Sequence, residues 1–424
     1  MSYKIFSTSI FLIFLSITLL AQSSKKVFFI GNSYIYVNSM PSILNSIANS
    51  KNDTIIYSSS TPGGAQLIQH VSNTATLNGI RQGNWDFVVI QEQSQKPSFS
   101  PGQVANDVLP YAQQLNDTIE KYNPCGETAF FMTWGRKNGD QSNCAVYPPI
   151  CTYDGMQERL RSSYLLMSQQ NNAICSPVGA AWKVVRDSFP NINLYNADES
   201  HPSYAGSYLA ACTFYATLFR KSPVGSAFYG NLSATDALTL QNIAALVVLD
   251  SMTNWFIGNY DIHADFTYST LSDSVSFTNN SSNGTTYIWD FGDNSPSSTD
   301  ANPTHVYDSS GNYFVTLISS DGCDRDTMVQ NISISIPTTA SQILQTTKKL
   351  TYYPNPTTNK LNIECKETID YVRIINSVGA EITYINNINS NKYILDLSIA
   401  KEGIYYLMVK PMNGEIILNK LILL

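Results

Sequence analysis

Two short stretches carry residue types that can together transfer an acyl group. The first is Val27-Phe28-Phe29-Ile30 followed by Gly31-Asn32-Ser33-Tyr34, an apolar run that stops on a glycine and a serine. The second is Asp198-Glu199-Ser200-His201-Pro202. A serine hydroxyl becomes a nucleophile when a base takes its proton and an acid fixes that base. Asp198 lies three residues before His201, and Pro202 suits the first position of a helix. A loop entering a helix can aim both side chains at one pocket. The carboxylate then holds one imidazole nitrogen and leaves the other for the hydroxyl. Taken alone, each stretch has a plainer reading. Small residues suit a tight strand exit, and Asp198 with His201 suits a cap beside a surface histidine. Found together, they favour the chemical reading: Ser33 as nucleophile, His201 as base, Asp198 as orienting acid.

Acyl transfer also needs donors for the oxyanion. Thr61-Pro62-Gly63-Gly64-Ala65 follows the second apolar run. A glycine amide admits the substrate oxygen closely, so Gly64 is the expected donor, with Gly63 as its alternative and Ser33 N–H beside it. The third run ends in Gln91-Glu92-Gln93-Ser94-Gln95. A glutamine amide can serve as a third donor; Gln91 ends the run and is preferred, with Gln95 as the alternative. Glu92 reads as a solvated carboxylate and His70 as helical surface. The stretch "FMTWGRKNGD" leaves the fourth run at the same edge, where open α/β sheets bind ligands. Trp134 and Arg136 are therefore candidates to line a substrate cleft, the indole as a platform for a sugar ring. Packing of Trp134 under a loop is the equal alternative. The sequence offers no metal-ligand spacing, phosphate loop or dinucleotide fingerprint, so neither metal nor cofactor is expected.

The elements that must position these residues alternate. Apolar runs at 27–30, 54–58, 87–91 and 129–133 read as strands. Helical patterns at 43–48, 104–120, 155–168, 204–219 and 234–255 lie between and after them. Alternation of this kind predicts about five parallel strands covered on both faces, over residues 25–258. After Tyr260 the helical period disappears. Short strands separated by Asn, Ser and Gly mark a small all-β domain over 261–337. A polar linker, 338–349, leads to a second all-β segment, 350–424.

The 424 residues exceed one ordinary core. Net charge is −7 with 25 Lys and Arg and no basic run, which argues against nucleic acid as a partner. Residues 1–21 read as a signal peptide: Lys4, then an apolar stretch, then small residues around Ala21. No later stretch has ~20 unbroken apolar residues, so no membrane span is expected in the mature chain. Export permits disulfides, and of seven cysteines Cys144 and Cys151, bracketing "CAVYPPIC", are the preferred pair.

The blocks "FIGNSY" and "DESHPS" resemble the first and last blocks of the SGNH/GDSL hydrolase superfamily, in the order Ser, Asp, His. Asn32 departs from the aspartate of the GDSL motif. A bacterial subgroup with "IGNSY", "GGA", "QEQS" and "HPSxxGSYLAA" blocks is closer still, over nearly all of 26–255. The resemblance implies a flavodoxin-like α/β sandwich and ester hydrolysis by Ser33, His201 and Asp198. "WDFGDNSPSS" and "NPTHVYDSSGNYFVTL" resemble the polycystic-kidney-disease (PKD) repeat, an immunoglobulin-like sandwich, in which Asp290 and Asp293 read as turn residues. Residues 350–424, with "YPNP" and "GIYYLMV", resemble the type A sorting domain of type IX secretion cargo. That resemblance implies a Bacteroidetes-type organism, the secretion machinery as partner, and a secreted or surface-attached product. The expected function is removal of O-acyl groups, acetyl above all, from extracellular carbohydrate. The alternatives are a non-catalytic carbohydrate-binding or adhesive scaffold, and a lipase or thioesterase.

Overall fold

The computed structural model describes residues 22–336, 350–376 and 379–424. The expected signal peptide, 1–21, and the expected linker, 338–349, lie outside them. Five strands, β1 (Ser24–Ile30), β2 (Thr54–Ser60), β3 (Phe87–Ile90), β4 (Glu127–Phe131) and β5 (Ile174–Ser176), form one parallel sheet in the order β2-β1-β3-β4-β5. This is the flavodoxin-like doubly wound order. Val27 to Ile30 and all of β3 are buried, so these strands read as continuous apolar runs, as a sheet covered on both faces requires. Successive side chains show the two faces directly. Phe28 packs on Trp85 and on Gly79 of the helix Thr74–Arg81. Phe29 packs edge-on against Phe214 of the helix Tyr204–Phe219. That helix is buried from Ala205 to Phe219, so it is apolar all round rather than striped.

The sequence reading misses β5 and the helix Val178–Ser188 that follows it. Three residues, two of them Cys and Ser, leave too short a run to register. The pattern at 104–120 resolves into two helices, Pro101–Asp107 and Leu109–Tyr122, because Pro110 cannot continue the first.

Strand order reverses between β1 and β3, and the carboxyl ends of these strands open a crevice there. The exit from β1 is tightly specified. A Cβ on Gly31 would lie 2.4 Å from Gln91 Oε1 and 2.6 Å from Ile35 Cδ1, so a larger residue there would push the Gln91 side chain out of place. The Gly31 carbonyl accepts a hydrogen bond from His70 Nε2 (2.9 Å), and His70 Nδ1 meets Thr76 Oγ1 (2.8 Å), which in turn meets Ser60 Oγ (2.8 Å). A carbonyl only accepts, so Nε2 carries the ring proton. His70 is fully buried, not the helical surface residue expected from sequence. Burial holds its pKa below the ordinary imidazole value, although the Gly31 bond works against that shift.

Six strands follow: β6 (Phe266–Leu271), β7 (Ser274–Asn279), β8 (Thr286–Asp290), β9 (Thr304–Val306), β10 (Gly311–Ser320) and β11 (Arg325–Ile334). They make two three-stranded antiparallel sheets, β6-β7-β9 and β11-β10-β8, over a core of Phe266, Phe277, Trp289 and Phe291. Asp290 and Asp293 accept the amides of Gly292 and Ser295 (2.9 and 3.0 Å), the turn role expected of them. Residues 22–334 form one compact unit. Within it the Cys125–Cys323 disulfide and the Arg220–Asp261 ion pair join the α/β part to the β module. Cys144–Cys151 is also bonded, while Cys175, Cys212 and Cys365 are free and buried. The second unit, Ser335–Leu424, holds a six-stranded antiparallel sheet with its own core of Leu361, Ile363, Val372, Leu407 and neighbours.

Three outcomes are expected. Thiol labelling of the unfolded, unreduced protein marks Cys175, Cys212 and Cys365 only. The paired replacement of Cys125 and Cys323 by serine opens a loop of 198 residues and lowers the unfolding free energy by up to about 5 kcal/mol in denaturant titration. His70→Leu leaves the Gly31 carbonyl without its partner and costs about 1–3 kcal/mol. Because the folded His70 pKa is depressed, the unfolded chain takes up the proton first. His70 therefore stabilises the fold above the ordinary imidazole range and that contribution is lost as pH falls, an acid sensitivity that His70→Leu removes.

Candidate active site

Ser33 opens a four-residue helix, Ser33–Tyr36, immediately beyond β1. Asn32 caps it, its Oδ1 accepting Tyr34 N–H (3.2 Å) while its Nδ2 donates to the Ala65 carbonyl (2.9 Å). An aspartate could cap but could not donate, so the amide at Asn32 is what ties the serine turn to the 61–67 loop. Asn32 N–H goes to Gln91 Oε1 (2.9 Å).

Asp198 and His201 come from the loop before the helix Tyr204–Phe219. Asn196 N–H bonds to His201 C=O (2.9 Å) and Ser203 N–H to Leu194 C=O (2.9 Å), which pinch the loop. Glu199 at φ 61° turns it, and Lys137 N–H holds Glu199 C=O (2.9 Å). The result brings the three expected residues into one line. His201 Nε2 lies 2.8 Å from Ser33 Oγ, and His201 Nδ1 is hydrogen-bonded to Asp198 Oδ2. Asp198 Oδ1 accepts the amides of Ser200 (3.1 Å) and His201 (2.9 Å). Partial burial works against the Asp198 charge, but these bonds outweigh it and hold the carboxyl below its ordinary pKa. With the carboxylate fixed at Nδ1, Nε2 is left to accept the serine proton.

Trp134 is corrected by the structure. It is fully buried, stacked between Tyr34 (4.6 Å) and Trp182 (3.9 Å), with Nε1 donating to Ser200 C=O (3.0 Å). No ring face is left for a sugar, and the indole props the histidine loop from beneath. Gln91 is corrected in the same way. It is buried under Asn32, and its Nε2 donates to the Glu92 carbonyl, so the amide expected to face an oxyanion is already used. Gln95 Nε2 donates to Asp140 Oδ2 (2.8 Å). Arg136 is about one-quarter exposed, 3.5 Å from the buried Asp140. Gly63 and Gly64 are exposed, Gly64 at φ +68° with open space around its Cα.

Sequence reasoning misses Tyr34, whose hydroxyl meets Ser200 Oγ (2.7 Å) and whose ring stands edge-on to His201 (5.5 Å). It also misreads Glu92, which is buried rather than solvated. Adjacency to Ser33 is the one signal that marks Tyr34. Two cavities, of about 660 and 740 Å³, lie elsewhere, and neither is lined by Ser33, Asp198 or His201. Among the described residues no cluster of His, Cys, Asp and Glu could hold a metal, and no helix is long and apolar enough to cross a membrane.

Solved structures similar to this chain include a DUF4886 family protein from Bacteroides uniformis, at 17% identity and TM-score 0.46, covering 54% of this chain and 96% of that one. A putative SGNH hydrolase from Slackia heliotrinireducens matches at 25% identity and TM-score 0.39, over 46% and 99% of the two chains. A family 3 carbohydrate esterase from Clostridium thermocellum matches at 13% identity and TM-score 0.33, over 45% and 94%. No curated protein matches the chain. A family model for the PKD domain matches residues 264–336. The model for the secretion system C-terminal sorting domain matches residues 351–423. The chain thus ends in a type IX sorting domain, and the protein is secreted or held at the cell surface.

Proposed function

We propose that this protein is a serine ester hydrolase that removes O-acyl groups, acetyl above all, from extracellular carbohydrate. The observation that carries the reading is the hydrogen-bonded line Ser33 Oγ, His201 Nε2, His201 Nδ1, Asp198. In the first step His201 Nε2 takes the Ser33 proton as Oγ attacks the ester carbonyl carbon. The oxyanion is met by the N–H groups of Ser33 and Gly64. Collapse expels the sugar alcohol, which leaves with the proton from His201. Water then repeats the sequence on the acyl-enzyme and frees the acid.

The openness of the site supports a polymeric alcohol and a short acyl group. The side chains of His201 and Asp198 are 34% and 49% exposed, so a group on a bulky glycan reaches Ser33 without entering a tunnel. Export and the accessory β module point the same way.

A fluorophosphonate probe is expected to label Ser33 in the wild type and nothing at that site in Ser33→Ala. Ser33→Ala and His201→Ala should each lower kcat/KM by on the order of 10⁴, since the two act as one unit. Asp198→Asn is expected to cost a comparable factor, because the wrong tautomer is then stabilised. Assay on acetylated glycans and on nitrophenyl esters of graded chain length should favour acetyl over octanoyl. Wild-type turnover by Ser33→Ala would end the mechanism.

A further inference from the structure

Glu92 stands two residues beyond the end of β3 and is 1% exposed. Both its oxygens lie 3.2 Å from Leu67 N, and Oε1 also accepts the Gln93 amide (2.5 Å). Leu67 closes the segment that carries Gly63 and Gly64, and it is itself fully buried. The same segment is tied to the serine turn only two residues earlier, through Ala65 C=O and Asn32 Nδ2. The loop offering the glycine amides thus hangs from two points, one on the β1 exit and one on the β3 exit.

We propose that Glu92 is a positioning residue: its buried carboxylate, by accepting the Leu67 and Gln93 amides, holds the glycine loop in register with Ser33, and hydrolysis needs that carboxylate ionised. The inference rests on the esterase reading above and goes beyond it. A charged acceptor binds amides more strongly than a neutral one, and only the ionised form leaves every lone pair free to accept. Burial pushes the Glu92 pKa up to about 7, against the pull of the Gln93 and Leu67 amides and of Lys96. The other titratable groups on the packed elements are already committed. Tyr164 offers its hydroxyl to Glu92 N–H (3.3 Å), and His70 is bonded to Gly31 and Thr76. The raised pKa means that the folded chain keeps a proton the unfolded chain has released. Ionising Glu92 therefore costs the fold stability as pH rises from about 4.5 to about 7. A glutamine would avoid that cost, so the carboxylate's use is in positioning the loop rather than in stabilising the fold.

Two measurements test this on the full chain. In ¹⁵N-leucine-labelled protein the Leu67 amide resonance should titrate with a midpoint near 7, in the wild type and in Ser33→Ala alike, and stay flat in Glu92→Gln. In steady-state assays Glu92→Gln should lower kcat on the order of 10-fold or more with KM within about twofold. It should also lose an ionisation near 7 from the kcat profile, and Glu92→Asp should restore part of the rate. Glu127→Gln is the control. Burial also lifts its pKa to about 7, but it begins β4 at the other end of the sheet, so the profile should not change. A Leu67 amide that does not titrate overturns the clamp, as does Glu92→Gln with wild-type kcat and pH profile. A wild type that cleaves no ester overturns the esterase reading, and the Leu67 titration still decides the clamp.

Discussion

A missing methyl group at Gly31 sets the geometry of everything around the crevice. Because nothing projects from its Cα, the side chain of Gln91 crosses the end of β1 and reaches Asn32 N–H. The two strand exits that flank the topological switch point are thereby stitched side chain to backbone. Ser33 follows two residues later, already fixed in height and direction before any contact with His201. His70 fastens the same glycine from behind through its carbonyl. Ser33 therefore owes its position to a polar lattice under the crevice, and the histidine loop is docked onto a surface that exists without it.

That lattice is buried, and burial makes its protonation states consequential. His70 is kept neutral and Glu92 is kept reluctant to ionise by the same cause, removal from water, acting on opposite charge types. Asp198 sits at the rim, where desolvation is small enough for three hydrogen bonds to dominate. The side chains of His201 and Asp198 are wet, and the groups that hold them are dry. An aromatic column continues the support outward: Trp182 under Trp134, Trp134 under Tyr34, and Tyr34 beside His201.

Much of this was legible in the residues. Strand-helix alternation predicts the parallel sheet, and the pair Ser33 and Asp198-x-x-His201 predicts the line of hydrogen bonds. The Cys144–Cys151 pair follows from a short bracketed loop. What was not legible depends on which way a polar side chain turns at a strand end. Gln91, Glu92 and Gln95 look alike in sequence as outward donors or solvated acids, yet each is turned to a backbone or carboxylate partner from another loop. Trp134 next to Arg136 resembles a cleft lining until the histidine loop covers it. Cys125–Cys323 spans 198 residues and two kinds of structure, a distance over which spacing carries no information. The β5 strand is hidden by its brevity.

The Cys125–Cys323 bond has a mechanical meaning. Cys125 lies just ahead of β4, at the amino ends of the parallel strands, whereas Ser33 lies at their carboxyl ends. A pull on the β module through the covalent link is delivered to the base of the sheet. It then runs along strands whose neighbours share the tension through parallel ladders of hydrogen bonds. The serine turn, the glycine loop and the histidine loop lie at the opposite, carboxyl ends of these strands. Drag on the module is therefore taken up at the end of the sheet farthest from Ser33 and His201.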